Sequence, residues 1–149
     1  MIELLVVMAV LGILAAAVMP LAETLVKAQK ERELRQALFE IRTALDEYKR
    51  AAGTGMVMAA AGESGYPPDL TALVQGVPDA RDAARGRMLY FLRAVPRDPF
   101  ADPRLPAPKT WALRSYASPP DRPEPGADVY DVHSMSPAMA LDGSPYAKW

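Results

Sequence analysis

Asp131, His133 and Ser134 set a carboxylate, an imidazole and a hydroxyl within four consecutive positions, the groups that nucleophilic hydrolysis combines. In a strand, residues i and i+2 share one face and i+3 lies on the other, so this spacing turns the hydroxyl away from the imidazole. A catalytic triad is therefore not the expected reading. Asp131, Ser134 and Asp142 together offer oxygens to a hard cation such as Ca2+, although two carboxylates and a hydroxyl are few for an ion that takes about six to eight oxygen ligands. The chain has no cysteine and one histidine, which removes thiol nucleophiles, disulfides and zinc-thiolate sites and leaves little for imidazole chemistry. Trp111, Tyr116 and Tyr130 are expected in a sheet-face core rather than a ligand cage. No Gly-rich phosphate loop and no pair of catalytic carboxylates emerges. The remaining chemically loaded residue is Glu3, a single carboxylate directly ahead of 19 uncharged residues, Leu4 to Ala22. An acid at the edge of hydrocarbon is costly unless paired, so Glu3 is a functional candidate by default.

The elements that must position these groups follow from composition and periodicity. At 149 residues and 16.2 kDa, with 50% apolar and 23% charged residues, the chain has one domain's worth of foldable sequence. Its 17 Lys and Arg balance 18 Asp and Glu, which leaves no electrostatic footprint for nucleic acid. The stretch 4–22 would span about 28 Å as a helix, close to the hydrocarbon thickness of a bilayer. A buried core helix would show a polar face. A cleaved secretory signal would carry a basic lead, although Ala15-Ala16-Ala17 could serve as a cleavage site. A single-span anchor fits better than either.

From Glu23 to Ala52 the chain carries seven basic and six acidic residues and neither Gly nor Pro. Leu34, Ala37, Leu38, Ile41, Ala44, Leu45, Tyr48 and Ala52 recur at helical spacing and predict one buried face. Glu23 with Lys27, Glu31 with Arg35, and Asp46 with Arg50 are expected as i,i+4 ion pairs on the solvated side. The two segments read as one helix of about 50 residues, with Gly12 and Pro20 as its break candidates and a kink or local melting expected near Met19–Ala22.

Beyond Ala52 the composition shifts, since 14 of the 15 prolines lie from Pro67 onward. Asp69 is expected to cap a short helix holding Leu70, Leu73 and Val74 that ends near Gly76 and Pro78. A second helical piece is expected over Asp79–Arg93, and PRDPFADP (96–103) excludes helix and central strand. Thr110–Ala117 and Asp128–Ser134 read as two antiparallel strands packed on the apolar face of the long helix. The C-terminal PAMALDGSPYAKW reads as loop with a turn at Asp142-Gly143. The fold class is α+β, divided into 1–22 (apolar half of the long helix), 23–52 (amphipathic half) and 53–149 (globular part).

IELLVVMAVLGILAAAVMPLAE, from Ile2 to Glu23, resembles the N-terminal segment of type IV pilins and type II secretion pseudopilins, with Ile2, Glu3, Leu4, Gly12 and Pro20 matching that pattern in order and spacing. More loosely, YFLRAVPRDPFADP (90–103), VYDVHS and LDG are similar to the major pseudopilins. The resemblance implies a pilin-like fold and a non-enzymatic subunit that polymerises through its N-terminal helix. In that family the glutamate pairs with the N-terminal amine of a neighbouring subunit, and the segment around the Gly and Pro can melt on assembly. Ala9, Leu14, Ala16 and Ala17 would suit close helix approach in the filament core.

The implied setting is the bacterial inner membrane with the globular part in the periplasm. The implied partners are further copies, other pseudopilins, a platform protein, an assembly ATPase and, for the precursor, prepilin peptidase. Major pseudopilins bind Ca2+ in the C-terminal loop, which places Asp131, Ser134 and Asp142 as the expected ligands, although the loop here is reduced to SMSPAMALDG. The family's basic leader, its Gly and the Phe-Thr that opens the mature chain are missing ahead of Met1. The expectation is a shortened chain whose start falls at an internal Met, without the peptidase site and the residue that would be N-methylated. A type IV pilin or minor pilin is the nearest alternative, and the lack of a Cys pair favours the pseudopilin. From another class, a singly anchored periplasmic enzyme or binding module would require a convergent polar pocket.

Overall fold

A computed structural model describes residues 1–149, apart from the side chains of Ala17 and Met19. Helix α1 runs from Ile2 to Gly53 as one element of 52 residues, about 78 Å at the usual rise. Pro20 lies inside it without interrupting it, so of the kink or local melting expected near 19–22 the melting does not occur. Proline removes one backbone donor but leaves the remaining ladder intact, and Thr24 Oγ1 adds a hydrogen bond of 2.9 Å to the Pro20 carbonyl. The helix ends where Gly53, Thr54 and Gly55 follow one another: the Thr54 amide and hydroxyl close on the Arg50 and Ala51 carbonyls, and Gly55 takes φ +74°.

The two halves of α1 have different surroundings. The described apolar side chains of the first half are all exposed, whereas Leu34, Ala37, Leu38, Ile41, Ala44, Leu45, Tyr48 and Ala51 are buried and form about half of the core. Every position expected on the buried face lies there, with Ala52 at its edge. None of the three expected i,i+4 ion pairs forms among the described residues. Glu31 instead turns inward, on the same three-and-four spacing as Leu34, Leu38, Ile41 and Leu45, and is 6% exposed.

Against this face pack short elements linked by irregular chain. Helix α2 is one turn, Ala72–Gln75, its first amide capped by Asp69 Oδ1 at 2.9 Å, with Leu70 and Leu73 buried. The helix expected over 79–93 is absent. Val77–Pro78 (β1) and Met88–Leu89 (β2) pair antiparallel instead, in register Val77↔Leu89, around a single 3-10 turn at Ala83–Arg85. Gly86, left-handed at φ +65°, ends that turn, and the Phe91 and Leu92 amides are both taken by the Leu73 carbonyl. The apolar run 88–92 is thus a strand edge leading into a turn. Gly76 (φ +83°) carries the chain into this hairpin with its α-carbon against Tyr90, and an added Cβ would sit 2.7 Å from that ring. Gly76→Ala is expected to cost about 1–3 kcal/mol, from positive φ and overlap combined, measurable as a lowered denaturation midpoint.

The second sheet is Trp111–Arg114 (β3) with Asp131–Ser134 (β4), antiparallel, in register Trp111↔Ser134 and Leu113↔Val132. Both strands are shorter than their sequence windows. After Arg114 the Ser115 amide bonds to the Glu124 carbonyl, which draws the chain into the 116–127 loop rather than along β4. Trp111 and Val132 point into the core against α1. The C-terminal segment folds back through a turn at Gly143 (φ +82°), a bridge between Met139 and Pro145, and a 3-10 turn at Tyr146–Lys148.

Candidate functional site

Two regions carry the residues singled out in the sequence. The first is the outer half of α1. Ile2, Glu3 and Leu4 form its first turn, all exposed, with Ile2 at 80% and Leu4 at 70%. Gly12 has no atom within 4 Å of the position a Cβ would take, and Pro20 is exposed. Ala9, Leu14 and Ala16 are exposed as well, and Ala17 lies outside the described side chains. The chain therefore has one helix, near its N-terminus, long and apolar enough to cross a membrane, and none of its most apolar stretch is buried. Glu3 is the one charged side chain on the first 22 residues. What brings Ile2, Glu3, Leu4, Gly12 and Pro20 together is the helix alone.

The second region is the C-terminal segment against α1. Here the sequence placed Asp131, Ser134 and Asp142 in one cation site, and the structure distributes them over three networks. Asp131 Oδ1 accepts from Arg42 Nε at 2.8 Å and from the Val132 amide at 2.8 Å. Ser134 Oγ donates to Asp98 Oδ2 at 2.6 Å inside the core. Asp142 Oδ1 takes the Ser144 amide and hydroxyl at 2.8 and 2.6 Å, and these bonds hold its carboxyl below the usual range. Among the described residues no three His, Asp or Glu side chains cluster as metal ligands do. Asp131, Ser134 and Asp142 each bond to a different protein partner, and the three side chains do not converge on one point. The hydroxyl of Ser134 is buried and bonded to Asp98, while His133 Nδ1 lies 3.2 Å from the Ser134 carbonyl. Strand alternation thus separates the two groups as the spacing implied.

Several residues that organise this region were not singled out in the sequence. Glu31 Oε1 accepts from the Leu141 amide at 2.8 Å and from Tyr146 Oη at 2.9 Å. Arg42, eleven residues and three turns further along the same side, donates to Asp131, to the Val132 carbonyl at 3.1 Å and to the Trp149 carbonyl at 2.6 Å. The C-terminal segment is therefore fastened to α1 at two levels. Phe100 stacks on Tyr146 with centroids 4.2 Å apart, and Arg35 lies 4.2 Å over the Trp149 ring. The available sequence signal was Glu31 itself, an acid at a position the helical period assigns to the buried face.

Tyr146 is fully buried, and burial together with its bond to Glu31 pushes its phenol up to about 12. A group whose folded pKa lies above its unfolded value of 10 contributes stability that is complete below pH 10 and is lost as pH rises toward 12. Stability is expected to fall by about 1.4 kcal/mol per pH unit across that window from this group alone. Urea denaturation of the parent and Tyr146→Phe chains at pH 9 to 12 measures it, since the variant lacks this component.

Trp111 sits in the core as expected, its indole N–H donating to the Pro96 carbonyl at 2.8 Å. Tyr116 does not: it is 60% exposed, because β3 stops two residues before it. It packs with Tyr66 and Tyr130 beside an open groove of about 920 Å³ bordered by the 116–127 loop.

Comparison with protein-family models, with curated proteins and with solved structures returned no match to this chain. The class rests on the fold itself, an α+β chain with a 52-residue N-terminal helix and two small antiparallel sheets.

Proposed function

We propose that this chain is a structural, non-enzymatic subunit of a filament assembled at the bacterial inner membrane, a pseudopilin of a type II secretion system. The observation that carries the reading is the division of one unbroken helix. Its first half is apolar and bare with a single acid at its head, and its second half is wrapped by a small domain. A bare apolar half needs lipid before assembly and other helices after it. A domain built on one face of the second half leaves the opposite face open. The order of Ile2, Glu3, Leu4, Gly12 and Pro20 along the first half adds the resemblance to pilins and pseudopilins. On this reading an ATPase and a polytopic platform protein extract the subunit, and the growing pseudopilus pushes folded proteins outward through the cell envelope.

The test is polymer formation by the full chain expressed in a bacterial host, measured as sheared material by electron microscopy, together with membrane fractionation. The chain is expected in the membrane with its domain protease-accessible from the periplasm, and filaments are expected on overexpression. Glu3→Ala is expected to leave membrane insertion intact and to reduce filaments at least tenfold. Insertion without filaments in the parent chain overturns the proposal, as do filaments indifferent to Glu3.

A further inference from the structure

Where the apolar half of α1 meets the domain, a groove of about 420 Å³ opens between the helix and one side chain that reaches down to it. Ala22, Glu23, Val26, Lys27 and Lys30 form its helical wall, and Phe100 forms the other. Lys27 and Ala28 are the first described side chains of α1 that are not exposed, so the cover supplied by the domain begins here. Phe100 is held in place: it stacks on the fully buried Tyr146, its amide donates to Asp98 Oδ1 at 2.8 Å, and Lys30 Nζ stands 5.8 Å from its ring centre. Distance along the helix decides what this groove meets. The uncharged stretch ends at Ala22, and Val26, Lys27 and Lys30 follow it by about 6, 8 and 12 Å. With the hydrocarbon edge at Ala22, Val26 and Lys27 fall at the outer side of a headgroup layer about 5–7 Å deep. Helical side chains lean toward the N-terminus, which carries both ammonium groups back toward that layer. Neither lysine has an ion-pair partner among the described residues, and Glu23, the one acid of the groove, does not pair with them. Val26, 58% exposed, and Phe100 extend the apolar surface past Ala22 on this side.

We propose that this groove seats an anionic phospholipid, its phosphate drawn to Lys27 and Lys30 and the top of its acyl chains laid against Val26 and Phe100. The proposal rests on the reading of α1 as a membrane span and adds which side of the domain lies down on the bilayer. An aromatic ring and long cationic chains flanking a hydrocarbon span are the groups that settle at a membrane interface, the ring at headgroup depth and the ammonium groups among the phosphates. Here the two kinds of group come from different parts of the chain. The lysines belong to α1, whereas Phe100 is brought to them by Asp98 and Tyr146, so the seat exists only when the domain is folded. A lipid held there inclines α1 toward the Phe100 side and fixes the rotation of the domain about the helix axis.

The test is quenching of a fluorophore on the full chain by lipids spin-labelled just below the headgroup, in phosphatidylcholine vesicles with increasing phosphatidylglycerol. The chain has no cysteine, so each introduced label is unambiguous. A dye on Ala101→Cys, next to Phe100, is expected to be quenched as phosphatidylglycerol is added. A dye on Met58→Cys, 86% exposed and past the far end of α1, is expected to stay bright. Lys27→Gln and Lys30→Gln are each expected to raise the phosphatidylglycerol fraction at half-maximal quenching about fivefold, and the double variant to remove the dependence. Neither lysine belongs to the core or to an ion pair, so these variants keep the fold. Near-UV circular dichroism checks Ala101→Cys, and if that variant unfolds, a dye on Val26→Cys, on the opposite wall, carries the same titration. A dye on Leu11→Cys, midway along the apolar half, separates the outcomes. If lipids labelled at mid-chain quench it while the groove dye ignores phosphatidylglycerol or the two lysines, the anionic seat is wrong and the membrane reading stands. If the Leu11 dye is quenched in no vesicle, both fall.

Discussion

Ile41→Ala is expected to destabilise the globular part by about 3–4 kcal/mol while leaving membrane insertion unchanged. Ile41 is fully buried at the centre of the α1 face, in one cluster with Leu45, Leu73, Trp111 and Val132. Truncation removes three methyl or methylene groups from water-excluded packing and leaves a cavity that the surrounding short strands and turns can close only in part. Against a total stability of about 5–15 kcal/mol for a domain of this size, that is a large share. The measurement is guanidinium denaturation of the detergent-solubilised full chain, followed by Trp111 and Trp149 fluorescence. Leu11→Ala is the paired control: the same helix and a similar deletion, but at a side chain 56% exposed in the apolar half, with an expected effect on domain stability near zero. Equal losses in the two variants would mean that the halves of α1 fold as one unit. A loss confined to Ile41 would mean that the outer half contributes to assembly and insertion alone.

The long helix and its buried face were legible because the helical period and the absence of Gly and Pro from 23 to 52 pointed the same way. The pairing of 111–114 with 131–134 was legible for a similar reason, aromatic and β-branched residues between turn signals. The 79–93 segment was not. Its apolar residues fit helical spacing and strand-edge spacing about equally over so short a window, and the outcome was decided by Gly76, Gly86 and the distant Leu73 carbonyl. The expected ion pairs failed for a related reason. The i,i+4 spacing alone makes Glu31 and Arg35 partners, but a backbone amide and a phenol 110 and 115 positions away compete for the carboxylate, and burial strengthens those bonds. The residues expected as cation ligands are dispersed by similar competition. Asp131, Ser134 and Asp142 are near one another in sequence, yet strand alternation, the distant partners Arg42 and Asp98, and the local turn that ties Asp142 to Ser144 hold their oxygens in separate networks.

Asp98→Ala is expected to cost about 2–4 kcal/mol and to loosen the side of the domain nearest the apolar half of α1. Asp98 is fully buried in the PRDPF stretch, where its Oδ2 accepts Ser134 Oγ at 2.6 Å and its Oδ1 accepts the Phe100 amide at 2.8 Å. Two effects oppose each other in the variant. Removing a buried acid relieves its desolvation, but it also strands the buried Ser134 hydroxyl, at about 1–3 kcal/mol, releases the half-buried Phe100 amide, and opens a small void. The stranded hydroxyl wins, because Ser134 is fully buried and loses a 2.6 Å bond with no solvent to replace it. Asp98→Asn separates the terms: it preserves shape, can accept one of the two bonds and donate to the Ser134 oxygen in the other, and is expected to cost under about half as much. The damage should spread along a defined route. Phe100, positioned by Asp98, stacks on Tyr146, whose hydroxyl completes the Glu31 network, so the C-terminal segment loses part of its hold on α1. Trp111, bonded to the Pro96 carbonyl two residues before Asp98, is a local reporter, and its emission is expected to shift to the red in the alanine variant and little in the asparagine variant. Faster hydrogen exchange at Leu141, whose amide donates to Glu31, would place the effect at the clamp itself. If Asp98→Ala instead matched the parent in stability and exchange, the buried carboxylate would contribute nothing beyond the packing around it.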